Sequence, residues 1–405
     1  MGLRILFATA LAVFVLAGAR TAQAEPGDDL TVVVLTFGPG DHPFFKFGHN
    51  AILVQPKDEV GLVFNFGTFA FDSPDLISKF LRGRFKYWLS VSGMEETYAS
   101  YVSENRTIEA QELDLTPAQR WTLWNNLRDN ARPENREYLY DYFRDNCSTR
   151  VRDAIDRVVG GRVRQAGERP AAMTLRANAL RMTADFFPEY LGLDLGLGRP
   201  TDAAITVWDE AFLPGRMRDL LRTVRIPGDS GDKPLVKSER TLFAARRPPG
   251  LDQPPDWRAQ FLAVGLVLGA LLAGLGWLAG KHPAARVGLG ISGGLLGLVF
   301  GLLGSILVGL WVFTNHQAAH ANANIFLLAP WSLVLAIHGV GVAMGRHRSM
   351  RRAFWVTAAA AGFAVIGLVC KALPGPAQDN LVLVAFLLPV WLGLAVGFRW
   401  AMRRG

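Results

Sequence analysis

The chain has 405 residues, of which only two are cysteines, so it is not a disulfide scaffold. Its formal charge of +8 and pI of about 9.7 raise the question of nucleic acid. The placement of Lys and Arg beside apolar spans, described below, accounts for that charge without a nucleic-acid partner.

In chain order, Arg4, the apolar run Ile5 to Gly18 and the small-x-small triplet Ala22-Gln23-Ala24 read as a secretory signal peptide over 1–24. This implies a bacterial export context. Residues 25–227 then form an exported globular domain. Leu30 to Phe37, Asn50 to Gln55, Val60 to Phe66 and Phe85 to Val91 read as strands, with Pro56-Lys57-Asp58-Glu59 as a turn. Ser73-Pro74 starts a short helix. Thr116-Pro117 opens another, on which Trp121, Trp124 and Leu127 share a face. A third follows Cys147, with Val151, Ala154, Ile155 and Val158 at helical spacing. The pattern predicts an α+β fold, a small antiparallel sheet with helices packed on it.

Residues 228–256, with Gly228-Asp229-Ser230-Gly231-Asp232 and Arg246-Arg247-Pro248-Pro249-Gly250, read as a linker with little regular structure. From 257 to 405 the chain becomes an all-α membrane domain. Five apolar stretches, near 260–280, 287–313, 325–345, 353–370 and 381–398, approach the length needed to cross a bilayer. Their Gly and Ala content suits close helix packing. With residues before Trp257 outside, the inner loops carry Lys281 and Arg286, then Arg346, Arg348, Arg351 and Arg352, then Arg399, Arg403 and Arg404. The outer turns carry only Lys371. That asymmetry places the C-terminus in the cytoplasm.

Cys147 stands in the polar run Asp145-Asn146-Cys147-Ser148-Thr149-Arg150, one turn before Val151. It is either a small core residue or a nucleophile whose thiolate is favoured by the helix N-terminus and by Arg150 and Arg152. Cys370 lies in the membrane region, so a bridge would have to join two domains. His49, in Phe47-Gly48-His49-Asn50, is the candidate base, and His42 in a Gly-Pro-Gly-Asp loop competes with it. Asn65 is a polar residue in an apolar strand. Its amide requires partners if buried, either a histidine ring or a turn. No zinc, calcium, phosphate-loop or Gly-x-Ser-x-Gly pattern occurs in the exported domain. That leaves a Cys–His pair as its main chemical option. A second place of interest is the uncharged outer turn holding His316, His320, Asn322 and Asn324. It is either a capped connector or a binding floor, and Gln378-Asp379-Asn380 emerges on the same side.

Several motifs occur together in one order: Phe47-Gly48-His49; Phe64-Asn65-Phe66-Gly67-Thr68-Phe69; Phe80-Leu81-Arg82-Gly83 with Tyr87-Trp88; Asn105-Arg106; and Pro133-Glu134-Asn135-Arg136 leading into Tyr140 through Cys147. Asp202, Trp208, Phe212-Leu213-Pro214 and Asn315-His316 with His320, Asn322 and Asn324 continue the series. The whole resembles the bacterial Lnb family. The resemblance implies a lipoprotein N-acyltransferase of the cytoplasmic membrane, with an exported papain-like domain of the permuted NlpC type and five transmembrane helices. In that arrangement His49 precedes the nucleophile Cys147. Asn65 matches a motif position, and its role as third polar residue is our inference. Ser148 departs from the threonine expected there.

The implied chemistry moves an acyl chain from a membrane phospholipid through a Cys147 thioester to the α-amine of a diacylglyceryl-cysteine lipoprotein, without cofactor or metal. The alternatives are an exported cysteine hydrolase (a phospholipase, or a peptidoglycan amidase or peptidase) and a non-catalytic lipid- or lipoprotein-binding protein.

Overall fold

In the computed structural model, residues 25–69, 83, 85–372 and 377–404 are described. The signal-peptide segment 1–24, the Ser73-Pro74 helix and Phe80 to Arg82 lie outside them.

The apolar run Leu30–Phe37 forms strand β1, and side chains on both of its faces are buried. β1 pairs antiparallel with β2 (His49–Pro56) on one side and with β5 (Ile108–Leu113) on the other. β3 (Leu62–Thr68), β4 (Lys86–Gly93), β6 (Glu137–Leu139) and β9 (Val236–Phe243) complete a seven-stranded antiparallel sheet of order β6-β4-β3-β2-β1-β5-β9.

Alternation along the strands divides the core in two. Val32, Val34, Ile52, Val54, Phe64 and Leu89 face one way, toward helices α2 (Pro117–Asn130) and α3 (Cys147–Val158). Val33, Leu35, Phe37, Ala51 and Val63 face the other, toward Met94, Tyr101 and Val102 of α1 (Met94–Ser103). Burying each such side chain is worth about 1.5–3 kcal/mol.

Thr116 caps α2 through a capping box with Gln119, as its sequence predicts. The shared face differs: Leu123 and Leu127 are buried while Trp121 is 42% exposed. Successive steps of three residues drift around a helix, and Trp121 falls off the stripe.

The segment expected to be an unstructured linker also differs. Its Gly228 to Gly231 portion turns a small hairpin between β7 (Arg225–Gly228) and β8 (Gly231–Pro234), and β9 then closes the β5 edge of the sheet. β9 carries no apolar alternation because it is an edge strand. Backbone pairing and ion pairs such as Lys237–Glu112 (2.6 Å) hold it there.

Two further helices, α4 (Leu175–Met182) and α5 (Phe187–Gly196), lead toward the membrane domain. Among the described residues, that domain has five helical segments long and apolar enough to cross a bilayer: Arg258–Ala279, Pro283–Phe313, Asn324–Ala343, His347–Cys370 and Leu381–Arg403. The first and last pack so closely that a Cβ on Gly276 would lie 2.2 Å from the Cα of Gly397, so only glycine fits. The third span is interrupted at Ala329-Pro330, and the freed Leu327 carbonyl accepts from Trp391 Nε1 at 2.8 Å.

Candidate functional site

Asn146 is the N-cap of α3, and it makes a reciprocal capping box with Thr149: Thr149 N donates to Asn146 Oδ1 at 2.9 Å, and Asn146 N donates to Thr149 Oγ1 at 2.8 Å. Asn146 Nδ2 donates to the carbonyls of Tyr142 and Phe212, each at 2.9 Å. The first turn of α3 is thereby pinned from both sides, and Cys147, its first residue, is held half-buried as a free thiol. Ser148 Oγ lies 2.8 Å from Asn50 Oδ1 and 2.7 Å from the Ala211 carbonyl, with one proton to share between them. Residues 147–148 therefore abut residues 49–50 of β2.

The sheet opens at this point. β2 pairs with β3 only over Ile52–Val54, and the β3–β4 register shifts between Asn65 and Thr68. Gly67, at φ +93°, borders the opening, and a Cβ there would lie 3.3 Å from the Cys147 Cβ. A side chain would press on the cysteine, and most residues resist that backbone conformation.

Across the opening, His49 Nε2 lies 3.4 Å from Asn65 Oδ1. Asn65 Nδ2 donates to the Val63 carbonyl (3.3 Å) and to Ser92 Oγ (3.1 Å), so its Oδ1 faces the ring and can only accept. The proton is assigned to Nε2 on that basis, which leaves the lone pair on Nδ1. Among the described residues no hydrogen bond joins the His49 ring to the Cys147 thiol. His42, by contrast, is exposed and caps the single turn Pro43–Phe45.

Burial and then the Arg106 charge hold the His49 imidazole down to about 4. Burial pushes the Cys147 thiol up, opposed by the backbone N–H groups of Asn50, Ser148 and Cys147 itself and by Arg106. The resting pair is thus neutral thiol and neutral imidazole. This differs from the thiolate expected from Arg150 and Arg152, because both are committed elsewhere. Arg150 is held by Asp145 (2.7 Å) and lies over the Tyr138 ring, and Arg152 donates to the Trp208 carbonyl (2.7 Å). The relevant cation is Arg106, buried, bonded to the Gly38 carbonyl (2.9 Å) and stacked on Tyr101.

Beside Cys147 stands a wall of aromatic rings. Tyr87 stacks on Tyr140 at 4.0 Å, and both rings, with Phe85, line a crevice that reaches the outer membrane turn at Asn315 and His316. His316 lies over Tyr142, ring centroids 6.0 Å apart. A neighbouring cleft of about 340 Å³, lined by Asp141, Arg144, Thr201, Gln317 and His320 among others, is at the small end for ligand sites.

The four residues of the outer turn divide. His316 and His320 line these openings, whereas Asn322 and Asn324 are buried and bonded inward. Asn322 Nδ2 donates to the Leu195 carbonyl (2.8 Å), and Asn324 Nδ2 donates to the Asp194 and Leu195 carbonyls, each at 3.1 Å. Gln378 and Asn380 join the same lattice, donating to Asn322 Oδ1 (3.1 Å) and Asn324 Oδ1 (2.7 Å).

Sequence reasoning did not find the ion cluster beneath it. Arg176, almost fully buried, binds Asp202 (2.8 Å) and Asp194 (3.3 Å) and donates to the Leu197 carbonyl (2.7 Å). Burial lifts Asp194 to about 6 against the pull of Arg176. A lone arginine amid ordinary helix residues gives no sequence signal.

Residues 19–179 match the Lnb N-terminal periplasmic domain, and residues 262–397 match the Lnb transmembrane domain. The chain belongs to the Lnb family. No curated protein and no solved structure matches it. Membership makes this a lipoprotein-related membrane protein with a periplasmic N-terminal domain. Cys147, His49 and Asn65 fall within the first matched Lnb domain, and His316, His320, Asn322 and Asn324 within the second.

Proposed function

We propose that this protein is a lipoprotein N-acyltransferase working by thiol chemistry in the cytoplasmic membrane, with its C-terminus in the cytoplasm. The observation that carries the reading is the meeting of the α3 N-terminus with the opened β2–β3 edge. There Ser148 bonds Asn50 and the Asn50 N–H is directed at the Cys147 sulfur, while the neighbouring His49 turns its Nε2 to Asn65.

In this reading His49 Nδ1 takes the proton of Cys147 as the sulfur attacks an ester carbonyl of a phospholipid. The C–S bond forms and the carbonyl electron pair moves to oxygen. Collapse breaks the ester C–O bond, and the proton passes from His49 to the departing lysophospholipid oxygen. The α-amine of a diacylglyceryl-cysteine lipoprotein then attacks the thioester. The amide C–N bond forms, the thiolate leaves, and the proton released by nitrogen returns to the Cys147 sulfur through His49. The neutral resting pair suits this route, since the proton moves only as attack begins.

Two features support transfer over hydrolysis. The aromatic wall of Phe85, Tyr87 and Tyr140 would offer an apolar approach, and the apolar helices would hold the site beside membrane-held substrates, which raises their effective concentration. The orientation rests on Arg346, Arg348, Arg351, Arg352, Arg399 and Arg403 at one end of the spans.

Mass spectrometry of lipoprotein N-termini after incubation with the reconstituted protein tests the reading. Gain of an N-acyl chain, dependent on Cys147, is the expected result. Release of free fatty acid or of peptidoglycan fragments instead selects the hydrolase, and no reaction selects a binding protein.

A further inference from the structure

Tyr138 is the central residue of β6, next to Tyr87 on β4 in the sheet, and its ring is buried. Its ring is fixed on two sides, by Phe66 at 6.5 Å and by the Arg150 guanidinium at 4.0 Å. Arg150 is itself clamped by Asp145. Yet the hydroxyl at the end of this well-held ring is buried and has no hydrogen-bond partner among the described residues. Buried hydroxyls without partners are uncommon in folded proteins and call for an explanation.

The position of that hydroxyl supplies one. The point where a Gly67 Cβ would stand is 3.3 Å from the Cys147 Cβ and 3.9 Å from Tyr138 Oη. The space left by the missing side chain therefore has the nucleophile on one side and an unpaired donor on the other. We propose that Tyr138 Oη is a hydrogen-bond donor to the acyl oxygen of the group bound at Cys147, a catalytic residue of the transfer reaction. The proposal rests on the acyltransferase reading above.

In each half of the reaction the trigonal acyl carbon becomes tetrahedral and its oxygen takes the electron pair of the broken π bond. Tyr138 donates to that oxygen and keeps its proton. No net transfer passes through it, and the proton balance remains between Cys147, His49 and the leaving or attacking group. A phenol suits this role because burial and the neighbouring Cys147 both resist its ionisation. Arg150 over the ring polarises the O–H without adding a charge that would need its own counterion. Donors fixed in advance at the developing oxyanion stabilise it without reorganising. The backbone N–H groups of Asn50 and Cys147 are directed at the sulfur.

The test compares the full-length wild-type protein with Tyr138→Phe, which removes one oxygen and keeps the ring. Two acyl donors are used, phosphatidylethanolamine vesicles and a short-chain p-nitrophenyl ester, and acyl-Cys147 formation is followed by intact-protein mass spectrometry. Alkylation of Cys147 by iodoacetamide and thermal unfolding are measured in parallel. The expected result is acylation slowed about 100-fold, the scale for loss of one such donor, with KM little changed. Alkylation should stay within about twofold of wild type, and the melting temperature should be equal or higher, because the lost hydroxyl had no partner in the resting protein. Wild-type acylation rates in Tyr138→Phe, or a fall in melting temperature showing a structural partner, overturn the assignment and leave the acyltransferase reading intact. If the wild type takes acyl groups from the p-nitrophenyl ester alone, the phospholipid reading fails and Tyr138 is judged on that ester. Failure of both donors to acylate Cys147 overturns both.

Discussion

His49 Nε2 meets Asn65 Oδ1 at 3.4 Å, across the gap where β2 and β3 stop pairing. The contact fixes which ring nitrogen is free, and Asn65 is itself anchored by Ser92 and Val63. Replacing Asn65 by Ala should lower acyl transfer about 10- to 100-fold, less than the loss in His49→Ala, because the base survives but its ring loses one restraint. Rates of acyl-Cys147 formation for the two variants check the ranking. Equal losses would make Asn65 more than an orienting partner.

Cys147→Ala and Cys147→Ser should both abolish transfer while the periplasmic domain keeps nearly its melting temperature. The side chain is half-buried and small, so truncation leaves little cavity, whereas a hydroxyl is a far weaker nucleophile here. Near-normal activity in Cys147→Ser would return the residue to the core.

The pH profile has a definite sign. Transfer needs unprotonated His49, which is held down to about 4 from an ordinary 6.5, so the acid limb should fall near pH 4. Arg106→Gln removes one of the causes, so His49 rises and the limb moves to higher pH. The same variant should slow alkylation of Cys147, since Arg106 favours the thiolate. Stability follows too. The unfolded chain takes up a proton that folded His49 refuses, so acidification from 6.5 toward 4 favours unfolding. Asp194, lifted from 3.8 to about 6, acts in the opposite sense over part of that window. Comparing melting curves with His49→Gln isolates the histidine contribution.

Arg176→Met should destabilise the full-length protein by about 3–5 kcal/mol, the usual cost of stripping one partner from a buried ion cluster. Asp194 and Asp202 would be left without their cation. Limited proteolysis between the α4–α5 region and the membrane domain reads the effect. An unchanged cleavage pattern would show that the cluster contributes little to docking.

In the outer turn, His316→Ala should reduce transfer without loss of stability, whereas Asn322→Ala should cost about 1–3 kcal/mol of stability by orphaning its partners. Thermal unfolding set beside transfer rates separates the two roles. Wild-type turnover in His316→Ala would make the crevice wall incidental.

Much of the fold could be read from the chain because its signals are local. Leu30–Phe37 announces a buried strand by its apolar run, Thr116 and Gln119 announce a helix start, and the spans announce themselves by length. The helix beginning at Cys147 was legible from its apolar spacing, and the motif order is what put His49 and Asn65 forward as its proposed partners. What was not legible depends on residues far apart in sequence. β9 is a strand only because β5 offers an unpaired edge. Arg150 and Arg152 look like thiolate supports until Asp145 and Trp208 claim them. Asn322 and Asn324 look like exposed binders until Asp194 and Leu195 present carbonyls to them. Tyr138 gave no signal, since an unmet hydrogen bond exists only in three dimensions.

The amide lattice of Asn322, Asn324, Gln378 and Asn380 ties the periplasmic domain directly to the membrane helices, and Gly198 N adds a bond to the Ala318 carbonyl at 2.7 Å. On the reading proposed above, the Cys147 site is thereby held at one height relative to the membrane helices instead of swinging on a tether. Vertical travel falls to the lipids: each acyl chain must climb out of its leaflet to a stationary sulfur. The rate should then respond to how readily a lipid protrudes, and so to membrane fluidity and acyl length, more than to any motion of the protein.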